Sequence, residues 1–119
     1  MAEVEKFVRF YDSEFGRKII QLEAQYIRKE LGDCHKILDV GRGIGSVESN
    51  LPQLNIVALD NSEEMLNVAK KRSKAEYVLG DAEKLGFKGA SFEAVLYITT
   101  LEFLSSYERA IEETHRVLK

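Results

Sequence analysis

The sequence has few of the residues that form cross-links and metal sites, and it lacks the long apolar runs that enter membranes. Cys34 is its only cysteine, which excludes a disulfide within the chain and a cysteine-based metal site. No stretch approaches the ~20 consecutive apolar residues of a membrane-spanning helix, and residues 1–15 lack the apolar centre of a signal peptide. We therefore expect a soluble, cytoplasmic protein without a bound metal.

An excess of positive charge is also missing. The formal net charge is −3 and the isoelectric point is about 5.5, which argues against a general nucleic-acid or membrane-surface binder. The basic cluster at 70–74 falls at the end of a predicted helix, where cations suit the helix dipole. The hydrophobic share of 45% and the charged share of 31% are typical of a globular chain, and the length suits a single domain, 1–119.

The sequence does have a glycine-rich segment directly after a short apolar run. The run at 37–40 is typical of a buried parallel strand, which predicts a first strand at about Lys36–Val40. Gly41, Gly43 and Gly45 follow it, which predicts a strand–turn–helix loop whose backbone a nucleotide-like ligand can approach closely. The dinucleotide fingerprint Gly-x-Gly-x-x-Gly fits poorly because Ser46 stands at its third glycine, and Gly-Lys-Ser/Thr is absent, which excludes a P-loop.

Two later apolar runs end in carboxylates. The run at 55–59 leads into Asp60, close to the ~20 positions after the first glycine at which an acidic residue meets a ribose in such folds. A carboxylate there can accept hydrogen bonds from both ribose hydroxyls. Asp60 could also act as a charge at a helix start, because Ser62 looks like the N-cap of the next helix. Both roles can hold together, and the position at the C-terminal end of a strand favours the ligand contact. The run at 77–79 ends in a Gly-Asp-Ala turn that contains Asp81, whose acceptor-only carboxylate suits an exocyclic amine.

These segments resemble the motifs of the class I S-adenosylmethionine (SAM) methyltransferases, specifically the type 11 small-molecule family. The first motif, an acidic residue followed by x-Gly-x-Gly-x-Gly, is complete at 39–45. The second and third motifs correspond to 58–66 and 80–85, and the end of the last predicted helix, 113–119, resembles the family's Glu-x-x-Arg-Val-Leu-Lys phrase. The resemblance covers nearly all of this chain but only the front part of the family's fold.

The resemblance implies SAM as the cofactor, held by the glycine loop and by the strand-end carboxylates. In that family the acidic residue of the first motif orients the loop and the ammonium group of SAM, and the aspartate of the third motif binds the adenine amino group. We name no catalytic residue, because in-line displacement at a sulfonium methyl depends mainly on positioning. The implied cofactor-binding residues are Asp39, Gly41, Gly43, Gly45, Asp60, Asn61, Met65, Asp81, Ala82 and Tyr97.

Four strands that alternate with helices predict an α/β, Rossmann-like three-layer fold with a parallel sheet in the order 3-2-1-4. Residues 1–33 read as two helices broken near 12–16, which the resemblance implies form an N-terminal cap. Residues 34–119 form the core, expected to lack the last strands of the family fold. The fourth strand, 92–98, would then be an edge with unpaired backbone groups. We therefore expect a homodimer or a complementing second chain along this edge.

The function predicted best is SAM-dependent methyl transfer to a small molecule. The alternative is a degenerate methyltransferase fold that serves as a SAM-binding or protein-interaction module without catalysis. Arg42 favours this alternative, because the family mostly places a smaller residue at this position of the glycine loop. A short helix before Pro52 also favours it, since glycine-loop helices usually run longer. A nicotinamide-dependent enzyme is a distant third reading because of Ser46.

Overall fold

The computed structural model describes residues 3–41, 46–97 and 107–119. These residues form an alternating series of helices and strands, preceded by two helices. The helices are α1 (Glu3–Asp12), α2 (Glu14–Leu31), α3 (Ser46–Ser49), α4 (Glu63–Arg72) and α5 (Tyr107–Val117), and the strands are β1 (Lys36–Val40), β2 (Asn55–Asp60), β3 (Glu76–Leu79) and β4 (Ala94–Tyr97).

The four strands form one parallel sheet in the order β3-β2-β1-β4. Leu38 at the centre of β1 lies opposite Val57 of β2 and Val95 of β4. The predicted strand order and the predicted Rossmann-like arrangement are therefore confirmed. Because the strands are parallel, their carboxyl ends meet at one edge of the sheet, where the glycine loop begins.

Each face of the sheet is covered by helices, because successive strand residues point to opposite faces. The sheet lies between two apolar layers, which makes the fold three-layered. The face covered by α5 buries Leu38, Val40, Val57, Leu59, Ala82, Leu85, Phe92, Ala110 and Val117. The face covered by α2 buries Ala24, Ile27, Leu31, Ile37, Leu51 and Ile56.

The break between the two N-terminal helices lies at Ser13, within the predicted interval. The Ser13 side chain accepts a hydrogen bond from the Gly16 N–H and caps α2. The helix ends at Gly32, whose φ of +55° is a conformation that glycine adopts without strain. Arg72 Nη1 of α4 donates to Asp12 Oδ2 at 3.2 Å and so ties the end of α1 to the core. The cap role of these helices stays a prediction.

The crossover from β1 to β2 is short, as predicted. Helix α3 is a single turn, Ser46–Ser49, and the chain then passes through the buried Leu51 and Pro52 into β2. The Leu51 N–H donates to the Glu48 carbonyl at 3.0 Å, and the Leu54 N–H donates to the Leu51 carbonyl at 3.2 Å. The backbone of this crossover is thus held by its own turns.

The fourth strand differs from its prediction at its start. Strand β4 begins at Ala94, and Phe92 lies in an isolated parallel bridge with Leu118. The Phe92 N–H donates to the Val117 carbonyl, and its carbonyl accepts from the Lys119 N–H, each at 2.9 Å. The expectation that Phe92 would carry unpaired edge groups is therefore wrong, because the chain's own last residues pair with it.

Some predicted features lie outside the described residues. They are Arg42, Gly43 and Gly45 of the glycine loop, the strand end at 98–100 and Ser105, the expected start of a capping box. Within the three described ranges, every helix is too short or too polar to cross a bilayer.

Candidate functional site

The carboxyl ends of β1, β2 and β3 lie side by side, and hydrogen bonds continue past the strands. The Gly41 N–H donates to the Leu59 carbonyl at 2.9 Å, and the Gly80 N–H donates to the Asp60 carbonyl at 2.9 Å. Gly41 has a φ of +141°, which side-chain-bearing residues rarely adopt, so the first turn of the loop requires glycine. The register therefore brings the starts of the three predicted motifs to one edge of the sheet.

Asp39 points from β1 to the face covered by α2 and α3. Its carboxyl is hydrogen-bonded to the carboxyl of Glu48 on α3, and the Glu48 side chain is buried, with 5% of its surface exposed. Burial raises the pKa of Asp39 well above its ordinary value, and the hydrogen bond to Glu48 and the negative charges of Glu48 and Asp60 raise it further. The acidic residue of the first motif therefore holds a proton more readily than an ordinary aspartate.

Asp60, at the end of β2, is buried, with 3% of its surface exposed. Its Oδ1 accepts the Ser62 N–H at 2.9 Å, and Ser62 Oγ in turn accepts the Met65 N–H at 3.2 Å as the N-cap of α4. Asp60 thus lies at the expected strand end and braces the start of the helix, and its contact with a cofactor stays a prediction. Asn61 is exposed. Met65 is buried and belongs to the core.

Asp81 occupies an exposed turn after β3. Its Oδ1 accepts the Glu83 N–H at 2.9 Å, and its carbonyl accepts the Lys84 N–H at 3.1 Å. Ala82, next in the chain, is buried. A Cβ on Gly80 would lie 2.9 Å from Leu59 Cδ1, so a side chain at this position would require Leu59 to shift. The turn that carries Asp81 is therefore fixed against the end of β2.

Tyr97 lies opposite Val40 in the sheet and packs on the α5 side, away from Asp39. Its hydroxyl is 2.7 Å from Thr114 Oγ1 and also donates to the Ala110 carbonyl at 3.4 Å. Burial raises the pKa of this hydroxyl. The structure thus shows Tyr97 bound to α5 through its side chain, and its role toward a cofactor stays a prediction.

Sequence reasoning missed two polar groups on the Asp39 face. Glu48 is one, and Tyr77 of β3 is the other, placed opposite Ala58, which itself lies opposite Asp39. The Tyr77 hydroxyl is hydrogen-bonded to Ser73, and burial raises its pKa to about 12. The one available signal for Glu48 was a glutamate shortly after the last glycine of the loop, Gly45, which alone does not distinguish a buried side chain from an exposed one. In the described ranges, no group of three His, Cys, Asp or Glu has metal-binding geometry.

Comparison with known proteins identifies the family. The sequence profile of the methyltransferase domain matches residues 38–119. A demethylmenaquinone methyltransferase of Thermotoga maritima is 33% identical over 113 residues, which cover 91% of this chain and 47% of that protein. This chain therefore belongs to the methyltransferase domain family, as the resemblance predicted.

Solved structures agree with this assignment. A SAM-dependent methyltransferase of T. maritima superposes with a TM-score of 0.78 at 28% identity, over 98% of this chain and 53% of that one. A protein of Methanococcus maripaludis has a TM-score of 0.87 at 22% identity, over 98% of this chain and 57% of that one, and shows the fold alone. The chain thus spans about half of the length of these relatives.

Proposed function

We propose that this chain binds SAM at the edge formed by β1, β2 and β3, and that the protein transfers the methyl group to a small-molecule acceptor. The observation that carries the proposal is the parallel register, which brings Asp39, Asp60 and the Gly80–Asp81 turn to one edge in a chain of the methyltransferase domain family. The name of the T. maritima relative supports a small-molecule acceptor.

The residues at this edge fit the chemistry of SAM. Asp60 and Asp81 are carboxylates, which accept hydrogen bonds, and we assign Asp60 to the ribose hydroxyls and Asp81 to the adenine amino group. Gly41 lacks a Cβ at the point where the backbone turns toward the ligand. Asp39, beside the loop, offers a negative charge to the ammonium end of the ligand. When bound, SAM supplies a methyl group on a positively charged sulfur.

The remaining proposed contacts follow from the positions of the residues and from the sequence pattern. We place Asn61, Ala82 and Tyr97 near the ligand through their positions at the strand ends, and Met65 beneath the adenine. We extend the loop contact to Gly43 and Gly45 from the sequence pattern alone. The chain's contribution to the reaction is to hold and orient the ligand, which can account for a large part of the rate of an in-line transfer.

The test is a calorimetric titration of the chain with SAM, with its demethylated product and with NADH. We expect SAM and the product to bind and NADH not to bind. In Asp60→Asn, the side chain keeps an acceptor for the Ser62 N–H but loses its charge, and we expect SAM affinity to fall by about 1–3 kcal/mol, roughly 5- to 150-fold. Asp33→Asn removes the same charge from an exposed site after α2 and serves as the matched control.

The outcomes separate the alternatives. Equal SAM affinity in wild type and Asp60→Asn would remove Asp60 from the site. Binding of SAM without formation of the demethylated product, in the presence of a panel of acceptors, would favour a SAM-binding module over an enzyme. Binding of NADH in place of SAM would overturn the proposed function.

A further inference from the structure

Two side chains near the end of α5 reach the chain segment that follows the Asp81 turn. They are Glu113 and Arg116, the acidic and basic residues of the Glu-x-x-Arg-Val-Leu-Lys phrase. The two residues form an ion pair, in which Arg116 Nε donates to Glu113 Oε2 at 2.8 Å. Residues three positions apart lie on the same side of a helix, which allows this contact. The pair is therefore held together within α5 and acts as one unit toward the residues that it contacts.

The pair binds both backbone groups of Leu85, the residue directly after the turn. The Leu85 N–H donates to Glu113 Oε1 at 2.7 Å, and the Leu85 carbonyl accepts from Arg116 Nη2 at 2.8 Å. One position earlier, the Lys84 N–H donates to the Asp81 carbonyl at 3.1 Å and closes the turn. The hydrogen bonds of the pair thus begin where those of the turn end.

Arg116 also holds the rest of the loop, 85–90, against α5. Its Nη1 donates to the Phe87 carbonyl at 2.7 Å, and its own carbonyl accepts the Ala90 N–H at 2.9 Å. Gly89 passes so close to the same carbonyl that an added Cβ would lie 3.3 Å from it. Arg116 thus attaches both ends of this loop to the helix.

The Asp81 carboxylate depends on the backbone of its turn for its position, because its side chain is exposed. Ala82 and Leu85 are buried and anchor the turn by apolar packing. Apolar packing has little directional preference, whereas hydrogen bonds to charged groups fix geometry. The ion pair of α5 supplies such directional contacts immediately beside the turn.

We propose that Glu113 and Arg116 are positioning residues that hold the Asp81 turn in the orientation in which it selects adenine. This inference rests on the proposed function, in which Asp81 accepts a hydrogen bond from the adenine amino group. Neither Glu113 nor Arg116 has to touch the ligand. Loss of their hydrogen bonds lets the turn sample other orientations, and the affinity for the ligand falls with the fraction of molecules that keep the competent one.

The first experiment measures ligand selectivity by calorimetry. The two probes are the demethylated product of SAM and its inosine analogue, in which an oxygen replaces the adenine amino group. Wild type should bind the analogue about tenfold more weakly, because Asp81 loses its donor. In Glu113→Ala we expect the product to bind about 3- to 10-fold more weakly and the analogue to change less, so the ratio of the two affinities falls toward one. A general loss of stability would weaken both ligands equally.

Two variants serve as controls for the selectivity measurement. Glu112→Ala removes the same charge from the adjacent, exposed position of α5 and should leave both affinities unchanged. Glu113→Gln keeps an oxygen that can accept the Leu85 N–H, so it should retain more of the selectivity than Glu113→Ala does. An unchanged ratio in Glu113→Ala, or an equal fall of the ratio in Glu112→Ala, would overturn the proposal.

The second experiment, amide hydrogen exchange followed by NMR, does not need a ligand. The Leu85 amide of wild type should exchange at least about tenfold more slowly than in an unstructured chain. Glu113→Ala should remove this protection, and Glu113→Gln should keep most of it. If the wild-type Leu85 amide exchanges at the unstructured rate, the proposal fails even if the variants do not fold.

The two experiments separate the positioning role from the proposed function. If neither probe binds to wild type, the proposed function fails and the positioning role fails with it. If wild type binds both probes equally while Leu85 is protected, Asp81 does not select the adenine amino group, and the positioning role fails while cofactor binding stands. An unchanged ratio in Glu113→Ala, in a protein that discriminates between the probes, refutes the positioning role alone.

Discussion

Gly80 offers a sharp test of how the third motif is fixed in space. The residue has no positive φ that would require glycine, so its role is to leave room. An added Cβ would lie 2.9 Å from Leu59 Cδ1 and 3.4 Å from Leu59 Cγ. Because Leu59 is 96% buried in the core between the sheet and α5, its side chain has little space into which it can move.

We expect Gly80→Ala to lower the free energy of unfolding by about 1–3 kcal/mol, the usual cost of overpacking. For a chain of this length the melting temperature should fall by roughly 4–12 °C. The measurement is urea or thermal unfolding followed by circular dichroism. Gly86→Ala is the matched control, because a Cβ there would contact nothing within 4 Å, and it should be neutral or stabilising by up to about 1 kcal/mol.

A double-mutant cycle assigns the effect to the contact with Leu59. Leu59→Val removes the Cδ atoms and alone should cost about 1 kcal/mol. Combined with Gly80→Ala it should cost less than the sum of the single changes, by about 1 kcal/mol, because the space is then available. If Gly80→Ala is as stable as Gly86→Ala, or if the two changes are additive, the close approach does not fix the turn that carries Asp81.

Two further predictions concern the C-terminal part of the chain. Arg116 donates to the carbonyls of Leu85 at 2.8 Å and Phe87 at 2.7 Å. Arg116→Ala should therefore lower the urea midpoint of unfolding more than the exposed control Lys71→Ala does, since two carbonyls lose a charged donor; equal midpoints in the two variants would contradict this. In the described part of the sheet, the outer edge of β4 has no neighbouring strand beyond Phe92. Light scattering at high micromolar concentration should therefore show a dimer or a larger species, and Ala94→Pro should return it to a monomer. A wild-type monomer throughout this range would exclude self-pairing.

The strands of the central sheet were predictable because their signals are local. The bounds of β1 equal the prediction, since an apolar run stands between a lysine and a glycine. Strand β2 extends one residue further than its apolar run, to Asp60, because the backbone pairing with β3 continues there. Strand β4 starts two residues later than predicted, because Phe92 pairs with the last residues of the chain. That contact joins residues far apart in sequence, which local apolar patterns do not indicate.

The candidate site also contains residues that the sequence could indicate and residues that it could not. The positions of Asp39, Asp60 and Asp81 follow from their places directly at or after apolar runs, which is why the sequence could indicate them. The partner of Tyr97 could not be foreseen, because Thr114 faces it only once α5 packs on the sheet. Glu48 was missed for a different reason. A single helical turn has no apolar periodicity, so the pattern cannot say which of its side chains is buried.

The short crossover through α3, which made the burial of Glu48 unpredictable from sequence, also determines the surroundings of Glu48. Because α3 is only one turn long, it covers just part of the sheet and leaves a cavity of about 400 Å³ beside Glu48. Two cationic residues, Arg72 and Lys74, line this cavity together with Glu48, as do the apolar Leu51 and Ile56. Glu48 therefore lies between Asp39 of β1 and a cavity with both polar and apolar lining, and a longer helix packed over the same face would fill this space.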